Sequence, residues 1–330
     1  MWGMRPAAWL YAQIMAARNR RFDAGMRVTT VECPVISVGN LTVGGTGKTP
    51  MVQWIAAQLR EVGLMPAIAM RGYLAEKGAQ SDEALEHRDV LKGTPVLVGP
   101  DRVATIRKHL EEGTPTDAVV LDDGFQHRFV KRDLDIVLID ARHDLSCERL
   151  LPAGRLREPG ESLRRANAVV LTHAQEGTWD ARSWIKDMHG HNPVASCQHV
   201  WTSITKYSTH GSQQIDVAAL DGMKLVTRLG IASSSAVQAS IVAAGGIVVE
   251  DISAKDHAAI KPREQERLIQ ATRAADALLM TNKDWVKYER LVDWSRLGVP
   301  VLVPRLELCF LDGESDLRSR VFAAVRTETA

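Results

Sequence analysis

The sequence has no apolar run near the roughly 20 residues that a bilayer-spanning helix needs, so no transmembrane helix is expected. It has only four cysteines in 330 residues, none in a C-x-x-C pair. That scarcity argues against a disulfide framework and a zinc site and favours a reducing compartment. The net charge of +1 gives no reason to expect nucleic acid as a partner.

The most informative stretch runs from Pro34 to Pro50, where a β-branched run leads into glycines and then Gly-Lys-Thr. A helix-compatible segment follows, so the order predicts a strand, a phosphate loop and a helix. Lys48 would reach the β- and γ-phosphates, and the Thr49 hydroxyl would hold Mg²⁺. The residues predicted to bind the nucleotide are Gly44, Gly45, Thr46, Gly47, Lys48, Thr49 and Pro50.

One position departs from the general G-x-x-x-x-G-K-[ST] pattern, because Thr42 stands where the pattern has Gly. Gly44 and Gly45 supply the flexibility instead. The alternative is a Gly-rich turn that merely precedes Lys-Thr. The strand, loop and helix in the order that the mechanism needs favour the phosphate loop.

Continuous apolar strands alternate with helices after the loop, which predicts an α/β fold with a P-loop NTPase-like parallel sheet and helices on both faces. Such sheets bind ligands at the carboxyl ends of their strands. The predicted strands end at or near Gly39, Arg71, Asp122, Asp140 and His173.

The pattern changes near Cys197, after which a second strand–helix series begins. We expect a second, smaller α/β domain joined by an extended two-stranded linker. The predicted boundaries are 1–197 for the phosphate-loop core with its N-terminal helix, 198–210 for a linker strand, 211–300 for the smaller domain, and 301–330 for a return strand and C-terminal helix.

The N-terminus predicts an amphipathic helix, because Trp2, Trp9, Leu10, Ile14 and Ala17 recur at helical spacing. Arginines directly after the apolar stretch argue against a signal peptide. Two alternatives remain equal: a helix that packs on the protein's own core, and a helix that rests on an anionic membrane surface.

Several polar segments are candidates for chemistry. Asp122 and Asp123 follow a buried strand, a place for carboxylates that hold Mg²⁺. The alternative is that each caps the next turn, but the Gly-Phe-Gln-His string at 124–127 and the phosphate loop favour a metal or catalytic role. The residues by themselves predict that 81–83 form the N-cap of a helix. The arginines of the 150–159 loop are predicted either to bind phosphates or to face solvent. His257 by itself is predicted to be a structural or surface histidine.

Taken together, these stretches resemble the tetraacyldisaccharide 4′-kinase family of lipid A biosynthesis over most of the chain. The specific strings are Asp-Asp-Gly-Phe-Gln-His at 122–127 and Leu-Pro-Ala-Gly at 151–154. The family's phosphate loop also has Thr at the position of Thr42. The chain departs from the family at Ser81 and Ala84, which replace Gly and Pro, and at 254–255, where Ala-Lys replaces Phe-Pro.

The resemblance implies transfer of the γ-phosphate of ATP, with Mg²⁺, to the 4′-hydroxyl of tetraacyldisaccharide 1-phosphate, giving lipid IV-A. It further implies a peripheral enzyme on the cytoplasmic face of the inner membrane, whose partner is the lipid disaccharide in the membrane. We expect a monomer.

The resemblance also assigns roles to residues. The implied catalytic residues are Asp82 with its dyad partner His257, Asp123 and Lys48. The implied metal ligands are Thr49, Glu158 and Asp122, and the implied pocket residues are Tyr73, Glu83 and Gln126.

Two rival functions remain at this stage. One is a P-loop kinase of a soluble small molecule, which would not need the apolar N-terminal helix. The other is a non-kinase GTP-driven switch or assembly factor, because Thr-Asn-Lys-Asp at 281–284 resembles the guanine-reading N-K-x-D with its Asp one residue too early.

Overall fold

The structure is a computed structural model that describes residues 5–72, 81–177, 179–230, 234–252, 262–289 and 293–326. Its contacts divide the chain into two compact units. The first unit comprises 1–74, 90–199 and 308–330, and the second comprises 75–89 and 200–307. Residues 75–89 thus group with the second unit, whereas the predicted boundaries placed them in the phosphate-loop core.

The helices and strands are numbered in chain order. The helices are α1 Arg5–Asp23, α2 Lys48–Glu61, α3 Asp82–Val90, α4 Arg102–Glu111, α5 Ala181–His189, α6 Ser234–Ala243, α7 Pro262–Thr272, α8 Asn282–Tyr288 and α9 Glu314–Arg326. The strands are β1 Val35–Asn40, β2 Pro66–Met70, β3 Val96–Val98, β4 Ala118–Asp122, β5 Leu134–Asp140, β6 Ala168–Thr172, β7 Ala195–Ser208, β8 Gly211–Ile215, β9 Lys224–Arg228, β10 Ile247–Asp251, β11 Ala277–Met280 and β12 Val301–Asp312.

The first unit is built on a parallel sheet in the order β7-β6-β5-β1-β4-β2-β3. Alternate residues of its strands point to opposite faces: Ile36 packs with residues of α2 and α9, whereas Val35 packs with α4. The α5 side chain Ile185 packs against β5 and β6. Because both faces are covered, β1, β4, β5 and β6 are buried along their whole length. The predicted parallel sheet with helices on both faces is confirmed.

The second unit has its own parallel strands in the order β10-β9-β11-β12. β7 continues into this unit and pairs with β8 in an antiparallel hairpin that closes at Ser208 and Gly211. Apolar side chains of β9 and β11 face both ways, into one cluster with Leu268 and another with Ile241. Strands β7 and β12 each pass from one unit to the other.

A buried ion pair organises the carboxyl end of β9. The fully buried guanidinium of Arg228 donates to Asp284 at 2.6 Å and to Glu264 at 3.1 Å. Asp284 also accepts from the Gly230 backbone N–H at 2.9 Å and from the Thr281 hydroxyl at 2.8 Å. The Thr-Asn-Lys-Asp segment therefore uses its carboxylate inside the second unit, which leaves it unsuited to reading a guanine base.

In the part of the chain that the structure describes, no helix combines the length and apolar character needed to cross a membrane.

Candidate active site

The predicted phosphate loop lies between β1, which ends at Asn40, and α2, which begins at Lys48. Gly47 occupies the N-cap of α2 with a left-handed φ of 86°. A Cβ there would lie 2.5 Å from Nε2 of the His199 ring. Both the backbone conformation and the neighbouring imidazole therefore require glycine at this position.

The loop is held by hydrogen bonds to three parts of the first unit. The Asn40 side chain donates to the Thr46 hydroxyl at 2.9 Å, and the Thr172 hydroxyl donates to the Thr46 carbonyl at 3.1 Å. On the other side, the Val43 N–H donates to the Arg155 carbonyl at 2.9 Å. These bonds preorganise the loop backbone, which is the condition for phosphate binding by backbone N–H groups.

Asp123 lies between two cations at the carboxyl end of β4. Its carboxylate accepts from Arg157 Nη1 at 2.8 Å and lies 3.6 Å from Lys48 Nζ. Burial by itself would raise the pKa of Asp123, but Lys48 and Arg157 outweigh it and hold that pKa below its usual value. The site therefore contains an ionised carboxylate with its counter-charges at the phosphate loop.

Asp122 and Gln126 lie beside this cluster. Asp122 is the last, buried residue of β4 and is paired with Val38 of β1. The Gln126 amide donates to the Asn40 carbonyl at 2.8 Å, so it joins the turn after β4 to the start of the phosphate loop.

Glu158 is fully buried, and only one of its two carboxylate oxygens is hydrogen-bonded. Its Oε2 accepts from Asn19 at 2.7 Å and from Arg165 at 2.9 Å. Within the described ranges, Oε1 is buried and has no hydrogen-bond partner. The Arg157 N–H donates to the Leu41 carbonyl at 2.7 Å, which ties the segment carrying Glu158 to the residues that lead into the phosphate loop.

Asp82 belongs to the second unit and lies in the first turn of α3, which the Ser81 hydroxyl caps by accepting from the Ala84 N–H at 3.3 Å. Its Oδ2 lies 3.2 Å from Lys287 Nζ of α8. The predicted N-cap is thus present, and Glu83 follows in the same turn. Sequence reasoning missed Lys287, because no local pattern links residues 205 positions apart.

Two of the predicted site residues, Tyr73 and His257, lie outside the described residues. Their assigned roles, and the predicted meeting of His257 with Asp82, stay predictions.

Two histidines meet beside the phosphate loop: His173 directly follows β6, and His199 lies within the first half of β7. The rings of His173 and His199 are 4.3 Å apart, edge to face. Burial lowers the pKa of both histidines. The pKa of His199 falls to about 3, because burial and, in the same direction, the charges of His173 and Arg142 lower it. His199 therefore remains a neutral ring under Gly47 at physiological pH. Sequence analysis placed His173 at this edge and missed His199.

Helix α1 has a packed face and an exposed face. On the packed face, Met15 and Phe22 are buried and the Tyr11 hydroxyl donates to the Arg157 carbonyl at 2.8 Å. On the exposed face, Trp9 is 66% exposed and Ile14 is 57% exposed. Packing on the protein's own core is thus found for one face of the helix, and contact of the exposed face with an anionic membrane surface stays a prediction.

Comparison with known proteins agrees with the resemblance. The model of the family described as tetraacyldisaccharide-1-P 4′-kinase matches residues 1–326. The chain is 35% identical over 325 residues to a tetraacyldisaccharide 4′-kinase of Geobacter sulfurreducens, covering 93% of this chain and 88% of the relative. It is 36% identical over 325 residues to that of Geobacter metallireducens, covering 92% of each. A crystal structure of LpxK from Aquifex aeolicus in complex with ATP is similar with a TM-score of 0.76, 26% identity and 98% coverage of both chains.

Replacing Lys48 with alanine is expected to lower kcat with ATP by about 10²–10³-fold, because it removes the cation that follows the charge of the moving phosphoryl group. Steady-state kinetics checks this. Lys108→Ala is the matched control, since Lys108 is exposed and its ammonium pairs with Glu112 one turn along the same helix. Near-native turnover by the Lys48 variant would remove this lysine from the mechanism.

His199 is expected to make the protein less stable in mild acid. Because its folded pKa of about 3 lies below the ordinary 6.5, the unfolded chain takes up a proton that the folded chain does not as pH falls below 6.5. The free energy of unfolding then falls by up to about 1.4 kcal/mol per pH unit from this group. In urea titrations between pH 7 and 4.5, the free energy of unfolding should fall less steeply with decreasing pH for His199→Gln than for the wild type.

The exposed His210 provides the control for that measurement, because His210→Gln makes the same chemical change at the surface and leaves the buried ring of His199 in place. Parallel profiles for the wild type and His199→Gln would contradict the prediction.

Proposed function

This chain belongs to the tetraacyldisaccharide-1-P 4′-kinase family, and we propose that it performs the family's phosphoryl transfer through the charged groups gathered at its phosphate loop. The enzyme is an ATP-dependent kinase of lipid A biosynthesis that phosphorylates the 4′-hydroxyl of tetraacyldisaccharide 1-phosphate. The observation that carries the mechanism is the Lys48–Asp123–Arg157 cluster at the carboxyl edge of the sheet.

Phosphoryl transfer needs positioning and charge neutralisation more than covalent chemistry. The phosphate loop would position the β-phosphate, and Lys48 would follow the γ-phosphoryl group. Asp123 keeps Lys48 close to the loop, with Nζ 3.6 Å from its carboxylate. Arg157, on the other side of Asp123, adds a second cation at the same edge.

We assign Mg²⁺ to Thr49, Glu158 and Asp122. No group of three His, Cys, Asp or Glu side chains that suits a metal occurs among the described residues. That fits Mg²⁺, which is usually held by one or two carboxylates together with waters and substrate phosphates. The buried, unpartnered Oε1 of Glu158 is a suitable oxygen donor. When bound by these residues, Mg²⁺ would supply positive charge that offsets the negative charge developing on the phosphate groups.

A sugar hydroxyl is a poor nucleophile, so a base must accept its proton in the transition state. We assign this role to Asp82, with His257 orienting it. The Lys287 ammonium, 3.2 Å from Asp82, provides a second group that positions the carboxylate. Glu83, Tyr73 and Gln126 are assigned to the substrate pocket.

The exposed face of α1 supports peripheral binding to the cytoplasmic face of the inner membrane. Trp9, Leu10 and Ile14 present apolar surface to solvent. Arg20, in the last turn of α1, is exposed and suits anionic lipid headgroups. An enzyme whose substrate stays in the bilayer must itself go to the bilayer, which a kinase of a soluble molecule does not need to do.

The proposed function predicts a product that mass spectrometry identifies. Incubation with ATP, Mg²⁺ and tetraacyldisaccharide 1-phosphate should raise the lipid mass by one phosphate. Asp82→Ala should lower kcat by about 10²-fold or more while ATP binding persists, because a general base contributes about 10²–10⁴-fold. Asp89→Ala, at the other end of α3, is the control. A wild-type enzyme that leaves the lipid unchanged would refute the acceptor, and an active Asp82 variant would refute the base.

Membrane binding is tested by replacing Trp9, Leu10 and Ile14 together with serine. These side chains are exposed, so the variant should fold and bind ATP normally yet bind anionic vesicles several-fold more weakly in a sedimentation assay. Val62→Ser with Met65→Ser is the control, since it removes exposed apolar surface elsewhere in the first unit. Unchanged vesicle binding by the triple variant would assign the membrane contact to another surface.

A further inference from the structure

Helix α1 reaches the candidate metal carboxylate directly, through Asn19. The Asn19 Nδ2 donates to Glu158 Oε2 at 2.7 Å across 139 positions of sequence. Arg165 Nη1 donates to the same oxygen at 2.9 Å. One oxygen of a fully buried carboxylate thus receives two donors from different segments of the first unit.

These two bonds fix the rotation of the carboxylate. With Oε2 held by Asn19 and Arg165, the other oxygen must point away from both donors. Oε1 is that oxygen, and it is buried without a hydrogen-bond partner among the residues that the structure describes. A buried, unpartnered carboxylate oxygen is unfavourable unless a donor or cation completes it.

The charges of the two donors differ, which matters for binding a cation. Arg165 carries a positive charge and stacks over the Phe125 ring with its guanidinium carbon 4.4 Å from the centroid. Asn19 is neutral and donates without cancelling more of the Glu158 charge. A second cation at position 19 would hold the carboxylate equally well but would weaken its attraction for a divalent ion.

Asn19 is itself held in place by the packing of α1. Its carbonyl accepts from Arg128 Nη1 at 3.2 Å, and Arg128 Nη2 lies 2.7 Å from Asp23. About two helical turns before Asn19, the Tyr11 hydroxyl donates to the carbonyl of Arg157, the residue before Glu158. The donor that orients the carboxylate is therefore anchored on both sides along the helix.

We propose that Asn19 is a positioning residue that, together with Arg165, aims Glu158 Oε1 at the divalent cation of the nucleotide complex. Groups behind a metal ligand that fix its orientation typically change metal affinity or activity by about 10–100-fold when removed. This inference rests on the proposed Mg²⁺ role of Glu158. On this proposal the packed face of α1 orients a metal ligand, whereas the exposed apolar face of the same helix binds the membrane.

The test compares Asn19→Ala with Gln13→Ala, which removes an exposed amide from the same helix. The Mg²⁺ concentration at half-saturation is measured twice: from initial rates, and from Mg²⁺-dependent binding of a fluorescent non-hydrolysable ATP analogue. Asn19→Ala should raise both values about 10-fold or more, with kcat largely restored at saturating Mg²⁺. Gln13→Ala should match the wild type. A purely structural loss would lower kcat at every Mg²⁺ concentration and would overturn the proposal.

Asn19→Leu supplies a second variant of similar shape, in case the alanine variant is unstable. Its side chain cannot donate a hydrogen bond and adds no charge, so half-saturating Mg²⁺ should again rise. An unchanged or lower value would contradict the positioning role.

The Glu158→Gln background separates this inference from the proposed function. If Asn19 acts through Glu158, adding Asn19→Ala to Glu158→Gln should change the Mg²⁺ dependence no further. Wild-type Mg²⁺ dependence in Glu158→Gln would refute the metal role of Glu158 itself. A strong effect of Glu158→Gln with none of Asn19→Ala would refute only the positioning role.

Discussion

The close approach of β1 and β4 is the constraint on which the active-site geometry depends. A Cβ on Gly39 would collide with Phe125, and one on Gly124 would collide with the Ser37 side chain. Only with glycine at both positions can the turn after β4 lie against the strand that leads into the phosphate loop. That contact places Asp123 within reach of Lys48. The cluster of Lys48, Asp123 and Arg157 therefore depends on the close packing of the backbone at Gly39 and Gly124.

The segment 155–158 connects the separate parts of the first unit's site. Its backbone pairs with 41–43, the Arg157 guanidinium binds Asp123, and Glu158 receives the Asn19 amide. Loop, carboxylates and N-terminal helix are thus joined through four consecutive residues. A displacement of this segment would change the phosphate loop, the Asp123 ion pair and the candidate metal ligand together.

Similar carboxylates serve different purposes in the two units. Asp284 is saturated by Arg228, Gly230 and Thr281 and stabilises the second unit from inside. Asp123 has its counter-charges at the edge of the sheet beside the phosphate loop. In sequence, Asp123 directly follows the buried strand β4, and Asp284 follows the buried strand β11 in the first turn of α8. Their difference lies in the partners that surround them.

The sequence by itself determined the phosphate loop, the parallel sheet and the strand ends that carry Asp122 and His173. These features follow from local order and hydrophobic periodicity, which a single chain displays directly. The tertiary structure decided which distant side chains meet: Arg157 with Asp123, Asn19 with Glu158 and Lys287 with Asp82. It also placed 75–89 in the second unit. Such contacts depend on how separate segments pack, and the local pattern of a segment does not record its packing partner.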